Sequence, residues 1–113
     1  MVHDKWVRAE PEASKLRQTA EHPAEAAALV KALAHEKRLA ILCYLSGREL
    51  TVSQINERVG GSQSVISQHL AVLRREGLVR TRREAQTIYY CLDDDRADRL
   101  VAVLQELFCC AAQ

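Results

Sequence analysis

Four cysteines are the residues of this sequence that can do covalent or metal chemistry. Cys43 lies in the apolar run RLAILCYLSG and Cys91 lies in TIYYCL, while Cys109 and Cys110 are adjacent in ELFCCAAQ. Thiolates attack disulfide or persulfide sulfur, and they also bind soft metal ions. No CxxC spacing occurs, and an adjacent pair is poorly arranged for two ligands of one tetrahedral zinc. Spacing alone therefore leaves redox chemistry, metal binding and plain packing open.

The composition favours one folded domain in the cytoplasm. A chain of 113 residues with 48% apolar residues can bury one core. A formal net charge of +1 with 27% charged residues excludes a strongly basic histone-like protein and an acidic disordered tail. The N-terminus lacks the apolar core of a signal peptide, and no later run is long enough to cross a bilayer. We therefore expect no membrane partner and thiols that are reduced by default.

Apolar residues at helical spacing predict the elements that position these thiols. Residues 1–22 have no sustained period and are interpreted as an N-terminal arm or accessory helix, ahead of a domain over 23–113. A first core helix begins near Pro23, and a second helix, EKRLAILCYL, ends at Gly47. The first helix has its apolar stripe at Ala26, Leu29, Val30 and Leu33, and the second at Leu39, Leu42, Cys43 and Leu45. Cys43 is accordingly expected to face the core or its rim.

A last helix is predicted after the acidic run Asp93, Asp94 and Asp95, because acidic side chains favour a helix N-terminus. Its apolar stripe is broad and comprises Leu100, Val101, Leu104, Leu107 and Phe108. One domain does not need so wide a stripe. The pattern predicts that this helix also packs against a second subunit.

The middle of the chain has the element order of a winged helix-turn-helix. The stripe Val52, Ile55 and Val59 predicts a short helix, Gly60 and Gly61 permit a tight turn, and Ser62 can cap a second helix. That second helix has its stripe at Val65, Ile66, Leu70 and Leu73 and stops at Gly77. The β-prone runs LVRTRRE and TIYYCL flank a polar tip at Ala85 and Gln86, which indicates a hairpin. The expected fold is mainly α, with about five helices and a two-stranded wing.

Polar and basic side chains of this segment suit double-stranded DNA. A helix enters the major groove and reads base edges with polar side chains near its N-terminus. From Leu70 to Glu84 there are five arginines against two glutamates, a local positive excess in a nearly neutral chain. The predicted DNA-binding residues are Gln63, Ser64, Ser67, Gln68, His69, Arg74, Arg80, Arg82, Arg83 and Gln86. A merely solvated helix face would look similar in isolation, and the surrounding element order favours DNA.

From KALAHEKRLAILCYL through SQSVISQHLAVLRREGLV to IYYCL, the chain closely resembles the ArsR/SmtB family of bacterial winged-helix repressors. The resemblance covers about residues 25–110. It implies a homodimer formed through the first and last helices that sits on operator DNA and leaves when an inducer is sensed.

Two metal sites typical of this family are missing from the sequence. Arsenic and cadmium/lead sensors have an ELCVCD-type motif where this chain reads ELTVSQ, so Thr51 and Ser53 replace thiols and Gln54 replaces the acid. Zinc and nickel sensors place Asp and His along the terminal helix, but RADRLVAVLQELFCC has no histidine. We expect neither of these metal sites and no cofactor.

The cysteine positions are similar to the BigR/SqrR-type subgroup, which senses persulfides and oxidants. Cys43 and Cys109 match its two cysteines, and Cys110 could replace Cys109, join subunits or merely follow it. This resemblance implies that a disulfide or polysulfide bridge between Cys43 and Cys109 releases the DNA, with a reactive sulfur species or oxidant as inducer. Genes for sulfide or oxidative stress would then be controlled. Cys91 is interpreted as filler or a surface thiol.

Three alternatives stay open. A soft metal or arsenite could be bound by Cys43, Cys109 and Cys110 with an outside ligand such as His35. A thiol enzyme using Cys109 is less favoured, because a helix C-terminus disfavours a thiolate. A pure protein-interaction module would leave the arginines of the wing unexplained.

Overall fold

A computed structural model describes residues 21–93 and 95–108, and within them the chain forms five helices and one hairpin. The helices are α1 (Pro23–Leu33), α2 (Glu36–Leu45), α3 (Val52–Val59), α4 (Gln63–Arg75) and α5 (Asp95–Phe108). The strands are β1 (Val79–Glu84) and β2 (Thr87–Leu92), which lie between α4 and α5. The predicted winged helix-turn-helix is confirmed. The segment 1–22, interpreted as an arm or accessory helix, lies outside the described residues up to residue 20, and so do Asp94, Cys109 and Cys110.

Local hydrogen bonds fix the start of α3. The Thr51 hydroxyl accepts a hydrogen bond from the backbone N–H of Gln54 at 3.2 Å, and the Gln54 side chain accepts one from the Thr51 N–H at 2.9 Å. This is a capping box, in which two donors that the helix cannot satisfy are satisfied reciprocally.

The turn between α3 and α4 needs glycine. Gly60 and Gly61 have φ angles of +88° and +101°, in a region that residues with a Cβ rarely adopt. The Ser62 hydroxyl then accepts a hydrogen bond from the N–H of Val65 at 3.2 Å and starts α4. The predicted order of helix, glycine turn and capped helix is confirmed.

The core lies between α2, α3, α4 and the base of the hairpin. Its fully buried large side chains are Ile41, Leu42, Leu45, Ile55, Ile66, Leu70, Leu73, Leu78, Val79 and Val101. The last helix buries only Ala97 and Val101 in this core. The helices α3 and α4 therefore pack in the centre of the core, whereas α1 fully buries one residue and α5 two.

The wing is an antiparallel pair that runs from Val79 opposite Leu92 to Glu84 opposite Thr87. It is also tied to the loop between α2 and α3. The N–H of Leu50 donates to the carbonyl of Tyr90 at 3.0 Å, and the N–H of Tyr90 donates back to Leu50 at 2.8 Å. Residue 50 therefore acts as a one-residue third strand that anchors the hairpin.

Three expectations about burial are wrong. Cys43 is exposed. The buried face of α2 is formed by Ile41, Leu42 and Leu45, and Cys43 is rotated by about 100° from Leu42, outside that face. Val30 is 63% exposed although it was predicted to be core, and α1 buries only Ala32. Val65 is 39% exposed, because the first turn of α4 projects beyond the core.

Within residues 21–93 and 95–108, no helix is both long enough and apolar enough to span a membrane.

Candidate nucleic-acid interface and thiol positions

The first two turns of α4 present one polar face. Ile66 and Leu70 are fully buried on the inner side of the helix. Positions 67 and 68 between them point outward, and positions 63 and 64, four residues earlier, share their face. Four of the predicted DNA-binding residues are exposed together there, namely Gln63, Ser64, Ser67 and Gln68. Their donors and acceptors can reach base edges in a major groove.

Gln63 is held by the preceding helix. Its amide nitrogen donates to the Ser53 hydroxyl at 2.8 Å, and the Ser62 and Ser64 hydroxyls are 3.3 Å apart. Sequence reasoning treated Ser53 only as a missing thiol. Its position in the first turn of α3, beside the start of α4, makes it part of this polar surface.

His69 differs from the other predicted contacts, because it is half-buried between α4 and the start of α2. Its ring centroid lies 4.4 Å from that of His35 at an interplanar angle of 52°. Burial lowers the pKa of His69, and repulsion from His35, Arg38 and Lys37 lowers it further. A DNA contact by His69 stays a prediction, and in this geometry the ring packs against α2.

The wing carries its cations on two faces. Arg80 and Arg82 share one face, and Arg83 lies on the other, opposite Ile88. Arg80 donates to the carbonyl of Asp93 at 3.0 Å, and Arg82 donates through Nε to both carboxylate oxygens of Glu49 at 2.9 Å. Two of the three predicted wing cations are therefore already bound to acceptors in the domain.

Three other predicted DNA-binding side chains are not held in place by any described residue. Arg74, Arg83 and Gln86 are exposed, and among the described residues their side chains make no hydrogen bond or ion pair. Arg74 also lines a groove of about 350 Å³ with Ser67 and Tyr90, between α4 and β2. This groove joins the outer face of α4 to the strand β2 of the wing.

The thiols are distributed over separate elements. Cys43 is exposed on α2, and α2 packs against α5, whose last residue, Phe108, directly precedes Cys109. Cys91 is half-buried on β2 opposite Arg80. The sensing roles of Cys43, Cys109 and Cys110 stay predictions, since the last two cysteines lie outside the described residues. Among residues 21–93 and 95–108, no group of three or more His, Cys, Asp or Glu side chains could hold a metal ion.

Known protein sequences similar to this chain are transcriptional regulators. The family profile described as "Bacterial regulatory protein, arsR family" matches residues 35–81. The transcriptional activator HlyU of Vibrio cholerae is 46% identical over 98 residues, which are 87% of this chain and 91% of the relative. The biofilm growth-associated repressor of Agrobacterium fabrum is 44% identical over 85 residues, which are 75% of this chain and 73% of the relative.

Solved structures agree with these sequence matches. Reduced HlyU from Vibrio cholerae is 45% identical with a TM-score of 0.76, and the alignment covers 82% of this chain and 98% of that one. The transcriptional repressor BigR from Xylella fastidiosa is 36% identical with a TM-score of 0.75, covering 86% and 96%. A homodimeric winged helix-turn-helix DNA-binding domain from Mycobacterium bovis is 31% identical with a TM-score of 0.69, covering 88% and 86%.

Proposed function

This chain belongs to the arsR family of bacterial regulatory proteins and is a transcriptional regulator rather than an enzyme, and we propose that it is a dimeric repressor that leaves operator DNA when its thiols are oxidised or persulfidated. The observation that carries the DNA part is the exposed polar face of α4, which a groove lined by Ser67, Arg74 and Tyr90 joins to the wing. Such a surface combines base-edge readers with cations for phosphate. The protein would act in the cytoplasm on double-stranded DNA.

A homodimer follows from the outer helices. Leu107 and Phe108 of α5 are 65% and 76% exposed, and Val30 of α1 is exposed as well. Apolar side chains left open on terminal helices are typical of a subunit interface. Two-fold pairing through α1 and α5 would present two α4 helices to DNA half-sites about one helical turn apart. The similar domain from Mycobacterium bovis is described as homodimeric, which supports this arrangement.

The thiol switch is supported by the exposure of Cys43 on a helix that packs against α5. A Cys43 thiolate could take the terminal sulfur of an organic persulfide and release the organic thiol. Attack by Cys109 or Cys110 on the resulting protein persulfide would form a disulfide and release hydrosulfide. If a second equivalent of organic persulfide also converts the second cysteine to a persulfide and releases another organic thiol, condensation of the two protein persulfides would release hydrosulfide and leave one sulfur atom inside the bridge. One similar solved structure is named as the reduced form of HlyU, and this name supports the proposal that the oxidation state matters here.

The proposal also states whether the protein represses or activates transcription. One relative is named an activator and another a repressor. We assign repression because loss of DNA binding on oxidation produces a response directly, when the freed promoter is transcribed. The controlled genes would handle sulfide or oxidative stress.

The structure disfavours one version of the metal alternative. His35 is the residue before α2 and lies eight positions before Cys43, about 12 Å along the helix axis. That separation exceeds what one imidazole and one thiolate can span to a shared ion at metal–ligand distances of about 2.0–2.3 Å. A soft-metal site would have to use Cys43, Cys109 and Cys110 without His35.

The test joins mass spectrometry to DNA binding. Reduced protein is exposed separately to glutathione persulfide, peroxide and arsenite, and each sample is tested on a duplex selected from a random pool. We expect a bridged peptide pair that contains Cys43 and either Cys109 or Cys110, with loss of DNA binding. Cys43→Ser should abolish both effects, and the matched control Cys91→Ser should retain them. Release by arsenite alone, without any bridge, would identify the thiols as metal ligands and overturn the proposal.

A further inference from the structure

The wing is joined to the loop between α2 and α3 by a cluster of three side chains, Glu49, Arg82 and Tyr89, here called the wing clamp. The Arg82 Nε donates to both carboxylate oxygens of Glu49 at 2.9 Å, and the Arg82 Nη2 lies 2.8 Å from one of them. The face of the same guanidinium lies 4.5 Å from the centroid of the Tyr89 ring. One planar cation is therefore held at its edge by a carboxylate and on its face by an aromatic ring.

The guanidinium of Arg82 also lies near a second carboxylate. The remaining terminal nitrogen, Nη1, lies 3.7 Å from the carboxylate of Glu84 on the same strand. The hydrogen bond with Glu49 raises the pKa of Arg82 further above its ordinary range, and it lowers the pKa of Glu49. A phosphate would have to displace Glu49 before it could bind the edge of this guanidinium that is formed by Nε and Nη2.

A second contact joins the same two pieces of chain. Leu50 follows Glu49, Tyr90 follows Tyr89, and Leu50 and Tyr90 exchange two backbone hydrogen bonds. The clamp and this bridge lie side by side, so together they fix both the position and the rotation of the wing relative to the loop. Neither contact alone would fix both.

Arg83 provides the contrast on the same strand. It points to the opposite face of the hairpin, it is exposed, and within the described residues its side chain makes no hydrogen bond or ion pair. Its guanidinium donors are therefore available to a DNA phosphate. The two adjacent arginines have different surroundings although the sequence presents them as equivalent.

We propose that Glu49 is a positioning residue for DNA binding and that Arg82 anchors the wing instead of contacting phosphate. The inference rests on the proposed DNA-binding function and refines the predicted role of Arg82. An exposed ion pair contributes little to overall stability, so the effect of the clamp is geometric. It holds the wing where Arg83 and Gln86 reach the DNA backbone beside the groove that receives α4.

The first test measures salt dependence in the full-length protein. Each phosphate contact contributes about 0.9 to the slope of log K against log salt concentration on duplex DNA. Arg83→Ala should lower this slope by about 0.9, which is the loss of one contact. Arg82→Ala should weaken binding several-fold and leave the slope unchanged, because Arg83 still makes its phosphate contact in the complex once the less restrained wing is ordered. An equal drop in slope for both variants would overturn the proposal.

The second test exchanges the charges of the clamp. Glu49→Arg and Arg82→Glu should each weaken DNA binding, because two like charges then face each other. The double variant restores an opposite pair at the same net charge and should recover most of the affinity. If Arg82 contacts phosphate, the double variant would bind as weakly as Arg82→Glu alone, which would refute the anchoring role.

A third readout separates this proposal from the proposed function. Hydrogen exchange of the β1 and β2 amides needs no DNA, and it should quicken in Arg82→Ala but not in Arg83→Ala. If the wild-type protein binds no duplex, the proposed function fails, and the exchange experiment still tests the clamp. Unchanged exchange in Arg82→Ala would mean that the arginine does not anchor the wing.

Discussion

His69 is a polar side chain of α4 that serves the packing of the domain. Its ring meets that of His35, and the Nδ1 atom of His35 accepts a hydrogen bond from the Lys37 N–H at 3.1 Å. His35 therefore caps α2 through its Nδ1 atom. A second proton on the His69 ring would add positive charge beside Lys37 and Arg38, which are among the groups that lower the pKa of His69.

This arrangement predicts a pH dependence of stability. The pKa of His69 is lower in the folded chain than in the unfolded one, so the unfolded chain binds the proton more readily. Stability should be complete above the ordinary histidine pKa of about 6.5 and should fall as the pH decreases through the folded value. We expect urea unfolding to show this loss between about pH 7.5 and 5.5, and His69→Gln to reduce it. His22→Gln, at an exposed position, is the control, and an undiminished loss in His69→Gln would contradict the prediction.

The sequence could predict some site residues but not the surroundings of others. Gln63, Ser64, Ser67 and Gln68 followed from helical periodicity, because the apolar stripe of α4 determines which positions face outward. His69 and Arg82 looked like their neighbours in the sequence. Their partners, His35 and Glu49, are more than thirty residues away along the chain, and local pattern carries no information about such contacts.

At the scale of the element, α3 depends on its first turn. It has only eight residues, and an isolated helix of that length is marginal in water. The capping box of Thr51 and Gln54 and the burial of Ile55 compensate for the short length. The position of α3 matters for DNA binding because Ser53 in its first turn holds Gln63.

Removal of the cap should therefore be measurable. Thr51→Ala is expected to lower the free energy of unfolding by about 1 kcal/mol, with a range of about 0.5–2, because a backbone donor loses its acceptor. Thr51→Ser retains a hydroxyl at the same position and should stay close to the wild type. The measurement is chemical denaturation with a constant m-value. Equal destabilisation by alanine and serine would indicate that the methyl group, rather than the cap, is responsible.

The outer helices show where periodicity is ambiguous. A stripe at helical spacing predicts a covered face but does not distinguish a domain core from a subunit interface. Val30 and Cys43 were placed at the core on this ground, and both are exposed. For α5, the width of the stripe predicts apolar surface outside the core. Leu107 and Phe108 are indeed exposed beyond the core.

At the scale of the whole molecule, the exposed apolar side chains predict the oligomeric state. Phe108→Ser should raise the dimer dissociation constant by about tenfold or more, because burial of a large apolar side chain contributes about 1.5–3 kcal/mol. Sedimentation equilibrium over a range of concentrations would measure the shift. Ile88→Ser removes a 40% exposed apolar side chain from the wing instead and should leave the dimer unchanged. Equal dissociation of both variants, or of neither, would place the interface elsewhere.

The bridge between Leu50 and Tyr90 also affects how the molecule opens. Its two hydrogen bonds join the ends of a chain segment that contains α3, α4 and β1, so this segment forms a closed loop. Once the bridge opens, the loop gains conformational entropy and its interior contacts are weakened together. Residues 50–90 should consequently behave as one cooperative foldon, whose slowest-exchanging amides share a single opening free energy, while α1 and the end of α5 exchange independently of it.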